Sequence, residues 1–248
     1  MTTHFIRVAD KTKEGFPQAA AAFFKARYPF FQEGVVNSEY YISNFKNKYK
    51  GSKILVVGGG PTTNSVEWDP SNYDFIFSCN HFFLHPILST IDVSFACLCP
   101  EVDVNSSEFV NYYGKFNTQF CIENPDTPNS QIFDMIKKGK SRISLAELRI
   151  KFKVGVTAHL MILATLFEPL SIDVIGMDGY PPDKQHKTDS KHSFQTGKKM
   201  SSLRFSHQLY VDHYTALWKY LKYDIGKNIK YTNLGKGHPY NVSGFLDV

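Results

Sequence analysis

The chain alternates short, almost uninterrupted apolar runs with longer segments whose apolar residues recur at helical spacing. From residue 53 onward, the apolar runs predict strands at 53–58, 73–79, 92–98, 118–123, 172–177 and 229–234. Helices are predicted at 105–113, 129–138, 156–168 and 207–224. Strands without polar alternation, separated by helices, are typical of a parallel sheet covered on both faces. The pattern predicts an α/β fold with a doubly wound, mostly parallel, Rossmann-like sheet.

The pattern also divides the chain into an extension and a main domain. Residues 14–34 predict an Ala-rich and aromatic-rich helix interrupted by Pro29, and 38–50 predict a second, polar helix. We therefore expect a helical extension over 1–50 and one α/β domain over 51–248. The segment 139–154 is charged and only loosely periodic. Residues 179–206 are polar and rich in Pro, Ser, Lys and His, and so long a stretch predicts a functional lid.

Composition and charge narrow the class of protein. Hydrophobic residues make up 42% of the chain and charged residues 21%, as in ordinary globular proteins. The net charge of +5 favours an anionic ligand, but the basic residues are dispersed, which argues against nucleic acid. The four cysteines lie in apolar runs and predict a reduced, cytoplasmic protein. The first residues lack a signal-peptide pattern, and no run reaches the ~18 apolar residues of a membrane span, so membrane contact is expected to be at most peripheral.

The stretch "KILVVGGGPTTN" (53–64) predicts a buried strand that opens into a glycine-rich loop. The dinucleotide fingerprint Gly-x-Gly-x-x-Gly fails, because Thr63 or Asn64 stands at the third glycine position. A Walker loop is excluded because no Gly-Lys-Ser/Thr follows. A methyl-donor loop is disfavoured, since Val56 and Val57 stand where an acidic residue is expected. A sugar-nucleotide loop and an empty turn that needs glycine at φ > 0 both stay open.

Polar residues follow several predicted strands. They include Asn80 in "SCNHFF", Asp178 in "GMDGY" and Asn233 in "NLGKGHPYN". The carboxyl ends of parallel strands meet at one edge of the sheet, where ligands bind in open α/β folds. We therefore expect these residues to converge with the glycine loop.

Several separated motifs, in order, resemble the bacterial lipooligosaccharide sialyltransferases and are similar to the related motility-associated-factor glycosyltransferases. They are "VVGGGPTTN", "SCNHFF", "VGVTAHL", "IDVIGMDGY" and "FSHQLYVDHY", and the resemblance covers roughly residues 50–235. It implies a modified nucleotide-binding α/β domain with a mobile lid. It also implies inverting, metal-independent transfer of a nine-carbon sugar from a CMP-sugar to a glycan or glycolipid acceptor.

The resemblance assigns donor-binding roles residue by residue. The loop Gly58, Gly59, Gly60 and Pro61 matches a nucleotide-contacting Gly-Asn-Gly-Pro loop, with Gly59 where the family has Asn. The remaining assignments are Asn80 to the donor, Thr157 to a helix entry that suits a phosphate or carboxylate, Asp178 to the ribose or base or to ordering of the loop, and Asn233 to the closing strand and loop.

The catalytic roles follow in the same way. Tyr180 matches a tyrosine that bonds the leaving phosphate, and His207 matches the region of the general base, with His192 and His213 as rivals. An unperturbed histidine pKa near ~6.5 suits a base at neutral pH. The chain contains no Asp-x-Asp motif, which fits transfer without a metal ion.

Two alternatives stay open. One is a sugar-nucleotide-binding protein without catalysis, because Gly59 replaces a contacting Asn. The other is a pterin or nucleotide pyrophosphokinase on a related scaffold, whose magnesium Asp178, Asp183 and Asp189 would hold. Self-association through residues 1–50 is also left open.

Overall fold

A computed structural model describes residues 4–9, 38–99, 101–123, 142–149, 155–178, 192–195 and 207–236. Its strands form one sheet and are joined by seven pairings, all of them parallel. The strands are β1 (His4–Ala9), β2 (Lys53–Val57), β3 (Phe75–Cys79), β4 (Phe95–Leu98), β5 (Gln119–Glu123), β6 (Ile143–Arg149), β7 (Ser171–Ile175) and β8 (Lys230–Asn233). Their order across the sheet is β1-β6-β5-β4-β3-β2-β7-β8.

Helices alternate with the strands along the chain. They are α1 (Ser38–Tyr49), the single turn α2 (Thr62–Ser65), α3 (Ser107–Lys115), α4 (Val156–Leu166) and α5 (His207–Lys219), which continues into a π-helical segment, Tyr220–Ile225. The α/β, Rossmann-like parallel architecture is therefore confirmed. The helix predicted over 129–138 lies outside the described residues. Within the described ranges, no helix combines the length and apolarity that a membrane crossing requires.

Helices cover both faces of the sheet. Phe77 of β3 and Phe95 of β4 are register partners on one face, where both rings contact Phe167 at the end of α4. Phe120 of β5 lies on the opposite face, because it aligns with the residue after Phe95. Its ring contacts Phe109 of α3 at a centroid distance of 5.3 Å. Apolar side chains on both faces are what the uninterrupted strand pattern requires.

The structure corrects the prediction in two places. The first 50 residues are not purely helical, because β1 pairs with β6 at an edge of the sheet. The loosely periodic segment 139–154 contains β6, which pairs with both β1 and β5. Glu147 and Arg149 interrupt the apolar run of β6 and hide the strand from a hydrophobicity pattern. Its backbone hydrogen bonds come from neighbours that are distant in sequence, and no local pattern records them.

The order of the strands reverses between β2 and β7. From β2 the chain proceeds to one side through β3, β4 and β5, whereas β7 and β8 lie on the other side. The loop of residues 58–61 follows β2, and Gly176 and Asp178 follow β7. Ligands of open α/β sheets bind at such a reversal, outside the carboxyl ends of the strands. The glycine loop therefore stands at the position where this fold forms a ligand crevice.

Candidate functional site

The inner side of the glycine loop packs directly against the end of β7. The Gly58 N–H donates to the Ile175 carbonyl at 2.7 Å, and the Gly60 N–H donates to the Gly176 carbonyl at 2.8 Å. A Cβ on either Gly58 or Gly60 would collide with the Gly176 carbonyl oxygen. Of these glycines, Gly176 alone has a positive φ, +72°. Gly58 and Gly60 are thus needed because the backbone of β7 approaches them closely. Neither has φ > 0, so the hypothesis of a turn that requires a positive φ is wrong for these two residues.

Asp178 ties the loop to β7 through its side chain. One carboxylate oxygen accepts the Thr62 N–H at 2.8 Å, and the other accepts the Thr62 hydroxyl at 2.6 Å. The Thr62 hydroxyl in turn accepts the Gly176 N–H at 2.9 Å. Asp178 is only 2% exposed. Both of its oxygens bond the loop, so these contacts favour the loop-ordering role over a contact to ribose or base.

The loop N–H groups are largely occupied by the protein itself. Those that donate to protein acceptors belong to Gly58, Gly60, Thr62, Thr63 and Asn64. Pro61 has no N–H, and that of Gly59 has no acceptor among the described residues. A phosphate-binding nest needs successive N–H groups that point at the anion. This loop is not such a nest, so groups outside the loop must hold any phosphate group.

A short segment, His192–Gln195, lies on the outer side of the loop. Its Ser193 N–H donates to the Gly59 carbonyl at 2.9 Å, and its Ser193 hydroxyl donates to the Gly60 carbonyl at 2.7 Å. The His192 ring covers Gly59, where a Cβ would lie 2.6 Å from Nε2. This segment belongs to the predicted lid, 179–206, whose other residues lie outside the described ranges.

The hydrogen bonding of His192 defines its tautomer. The Phe194 N–H donates to His192 Nδ1 at 3.3 Å. A ring nitrogen that accepts a hydrogen bond carries no proton, so the neutral imidazole has its proton on Nε2.

Asn80 and Thr157 stand at the same edge of the sheet. Asn80 has a left-handed φ of +52°, and its Oδ1 accepts the Cys99 N–H at 2.9 Å. Its amide nitrogen is the group that is left to donate to a ligand. Thr157, in the first turn of α4, places Oγ1 3.4 Å from Cys79 Sγ and 2.8 Å from where a Gly58 Cβ would lie. The structure thus brings the N-terminus of α4 against the glycine loop.

Two aromatic side chains, His85 and Trp68, contact the residues that follow the loop and were not identified from the sequence. His85 is 3% exposed, and its Nε2 lies 2.9 Å from Asn64 Oδ1. Burial lowers the pKa of His85, so the neutral ring is favoured. Trp68 stacks on His85 and donates its indole N–H to the Thr63 carbonyl at 2.9 Å. A lone histidine in "FFLHP" carries no local signal for a contact with Asn64.

The predicted site residues divide into three groups. Those that the structure brings to one edge are Gly58, Gly59, Gly60, Pro61, Asn80, Thr157 and Asp178. Asn233 is buried at the end of β8, beside β7, where its Oδ1 accepts the Gly235 N–H at 3.1 Å. Tyr180 lies outside the described residues, and so does the side chain of His207, the first residue of α5. Those predictions therefore stay predictions.

In the described part of the chain, no group of three or more His, Cys, Asp or Glu side chains is arranged to hold a metal ion. In comparisons with known proteins, no family model and no curated protein matches the chain. The function must therefore be argued from the sequence motifs and from the geometry of the loop.

Proposed function

We propose that this chain is an inverting, metal-independent glycosyltransferase of the sialyltransferase-like kind. It would transfer a sugar from a CMP-sugar or a related sugar nucleotide to a glycan or glycolipid acceptor. One observation carries the proposal: the glycine loop lies at the reversal of strand order, with Asn80 and Thr157 at the same edge. The ordered motifs that resemble this family supply the class of reaction.

The geometry around the loop suits a nucleotide held mainly by side chains. Most N–H groups of the loop already donate to protein acceptors, so they do not surround a phosphate. The glycines still allow a ligand to approach the backbone of the loop closely. The first turn of α4 offers the Thr157 hydroxyl and backbone N–H groups at the positive end of the helix. These groups suit the donor phosphate or a sugar carboxylate. The Asn80 amide, fixed by its bond to Cys99, would donate to the nucleotide.

The transfer step needs a base and a group that eases departure of CMP. We propose that His207 removes the proton of the acceptor hydroxyl while that oxygen attacks the anomeric carbon. The bond between the anomeric carbon and the phosphate oxygen then breaks, and CMP leaves with the electron pair. Tyr180 would donate a hydrogen bond to the departing phosphate. Attack opposite to the leaving group inverts the anomeric centre.

His192 is a weaker candidate for the base than its position suggests. A base must present an unprotonated nitrogen to the acceptor hydroxyl. In His192 that nitrogen is Nδ1, which already accepts the Phe194 N–H. Nε2 carries the proton and faces the loop, so His207 remains the proposed base, with His213 of α5 as its rival.

The two alternatives differ in what the site can support. A binding protein without catalysis would use the same loop, Asn80 and Thr157, and activity alone separates it from a transferase. A pyrophosphokinase needs carboxylates for magnesium, and both oxygens of Asp178 are bonded to Thr62. Asp183 and Asp189 lie outside the described residues. The transferase is therefore preferred.

Nucleotide binding is tested by thermal unfolding with CMP, CDP, UDP or NAD, each with and without EDTA. CMP is expected to raise the melting temperature in EDTA, since a ligand at 100 times its Kd adds about 2.7 kcal/mol of stability. Thr157→Val should reduce the CMP shift, whereas the control Thr232→Val on β8 should keep it. A preference for NAD, or a strict need for magnesium, would refute the proposal.

Catalysis is tested separately by turnover of a CMP-sugar. Wild-type protein should release CMP in the presence of a glycan acceptor, and His207→Ala should abolish release while CMP binding persists. Normal turnover by His207→Ala would rule out His207 as the base. Binding of CMP without turnover of any CMP-sugar would favour the non-catalytic binding protein.

A further inference from the structure

One buried ring lies between α2, the turn that follows the glycine loop, and the outer segment, His192–Gln195. It belongs to His85, in the connection between β3 and β4, which is only 3% exposed. Its Nδ1 accepts the Leu88 N–H at 3.4 Å, so the proton of the neutral ring is on Nε2. Nε2 therefore donates to Asn64 Oδ1, at a distance of 2.9 Å. Both ring nitrogens are bonded to the protein, and one of them holds α2.

The same ring also contacts the outer segment. The Phe194 ring packs edge to face with the His85 ring at a centroid distance of 5.9 Å, and Phe194 is only 3% exposed. Edge-to-face packing is a preferred arrangement of aromatic pairs. The adjacent Ser193 donates from its N–H to the Gly59 carbonyl and from its hydroxyl to the Gly60 carbonyl. The outer segment is therefore held at two points, by Ser193 on the loop and by Phe194 on His85.

We propose that His85 is a positioning residue of the candidate site, which links α2 to the outer segment so that a ligand meets the loop and the segment as one unit. The ring is buried and both of its nitrogens are bonded to the protein. His85 therefore acts through Asn64 and Phe194 and not by contact with a ligand. The role in ligand binding rests on the proposed function, whereas the link between α2 and the segment does not.

Two substitutions separate the two contacts of the ring. His85→Phe keeps an aromatic ring for Phe194 but removes the donor to Asn64. His85→Gln removes the ring but keeps an amide N–H that can donate to Asn64. A residue that only fills space in the core would loosen the same backbone amides in both variants. A residue that links two elements would loosen different amides in each variant.

The link is tested without ligand, by amide hydrogen exchange measured for single residues with NMR. In His85→Gln, the protection of the Ser193 N–H should fall about fivefold, as expected for the loss of one aromatic contact. The Val66 N–H, which closes α2 by donating to the Thr62 carbonyl, should keep its protection in that variant. In His85→Phe, Val66 should lose protection and Ser193 should keep it. The Gly60 N–H, on the inner side, is the control and should not change in either variant.

Phe194→Ala tests the contact with the outer segment while His85 stays in place. It should lower the protection of the Ser193 N–H as His85→Gln does, and the double variant should add little to either loss. Phe116→Ala, whose ring packs on Tyr112 at the end of α3, is the matched control and should leave Ser193 unchanged. Equal losses at Ser193 and Val66 in both His85 variants, or no loss in either, would overturn the link. If His85→Gln does not fold, Phe194→Ala against Phe116→Ala decides the contact.

The effect on the site is tested by the affinity for CMP, measured by calorimetry. His85→Gln and His85→Phe should each weaken CMP binding about fivefold, because each releases one of the two elements that the ring positions. Affinities equal to that of the wild type in both variants would refute the positioning role and leave the proposed function in place. If the wild-type protein does not bind CMP, the proposed function fails, and the exchange experiment still decides whether His85 links α2 to the outer segment.

Discussion

The glycine loop is held differently on its two sides. On the inner side, Gly58 and Gly60 pack against the backbone of Gly176, and Asp178 bonds Thr62. On the outer side, Gly59 lies under the His192 ring, and Ser193 bonds the loop carbonyls. Backbone contacts cannot adjust to an added atom, whereas a ring on a flexible side chain can. The inner side therefore fixes the loop on the sheet more rigidly than the outer side does.

The largest expected effect is a methyl group on the inner side. Gly60→Ala places Cβ 2.7 Å from the Gly176 carbonyl oxygen and against the Asp178 carboxylate. Overpacking costs about 1–3 kcal/mol, and the displaced Asp178 bonds add to that cost. We expect a loss of about 3 kcal/mol or more in urea unfolding. Gly114→Ala, in the open near the end of α3, should be neutral or slightly stabilising. Similar losses of stability in Gly60→Ala and Gly114→Ala would contradict the special role of the inner side.

The next effect concerns the carboxylate that joins the loop to β7. Asp178→Asn keeps only one side-chain oxygen to accept from the Thr62 N–H and the Thr62 hydroxyl. The new NH₂ group then faces one of these two donors and cannot accept its hydrogen bond. We expect a loss of about 1.5–3 kcal/mol, measured by urea unfolding. A double-mutant cycle with Thr62→Val should show strong coupling. Asp92→Asn, at an exposed aspartate, serves as the control and should change stability little. Additive effects of Asp178→Asn and Thr62→Val would show that these two side chains do not stabilise the protein through their mutual hydrogen bonds.

A smaller effect is expected on the outer side. Ser193→Ala removes the hydroxyl bond to the Gly60 carbonyl but keeps the bond from its own N–H to Gly59. One neutral hydrogen bond is worth about 1 kcal/mol, and that is the expected loss of stability. Ser89→Ala, which removes a local hydroxyl bond to Pro86 away from this segment, is the comparison. A loss from Ser193→Ala as large as that from Asp178→Asn would show that both sides fix the loop equally.

The smallest effect is a pH dependence carried by His85. Burial lowers its pKa below the ordinary 6.5, so the unfolded chain binds a proton first as the pH falls. The stability from neutral His85 is complete above pH 6.5 and declines as the pH drops below that value. Unfolding at pH 7.5 and 5.5 should show a smaller difference in His85→Gln than in wild type. An unchanged difference would assign the acid sensitivity to other groups.

Hydrophobic pattern was sufficient to predict the centre of the sheet. Strands β2, β3 and β4 are almost entirely buried, as are Ile172, Val174 and Ile175 of β7, and within these runs the apolar pattern is broken only at Ser78 and Asp173. It was insufficient for β1 and β6, whose pairing joins residues far apart in sequence and includes Glu147 and Arg149. The edge at which the site residues meet could be predicted, because ligands of open α/β sheets bind outside the carboxyl ends of the strands. This rule follows from topology and does not predict the contacts of particular side chains.

The individual contacts of the site were harder to predict. The sequence left two roles open for Asp178, because a carboxylate after a strand serves a ligand or a loop equally well. The position of His192 over Gly59 joins residues that are far apart in the sequence, and spacing does not encode such a contact. The support of the loop by His85 was missed for the same reason: Asn64 and His85 meet only after β2 and β3 have paired.

The pairing of β1 with β6 also bears on how the chain acquires its structure. His4 of β1 pairs with Ser144 of β6, which follows it far along the chain. Strand β1 must therefore wait until β6 has been synthesised before it can join the sheet. Parallel pairings over such distances fold slowly, because the chain must close a long loop before any contact compensates for the lost entropy. Until then β1 is an unpaired strand, and the nascent chain is most exposed to association with other chains during that interval.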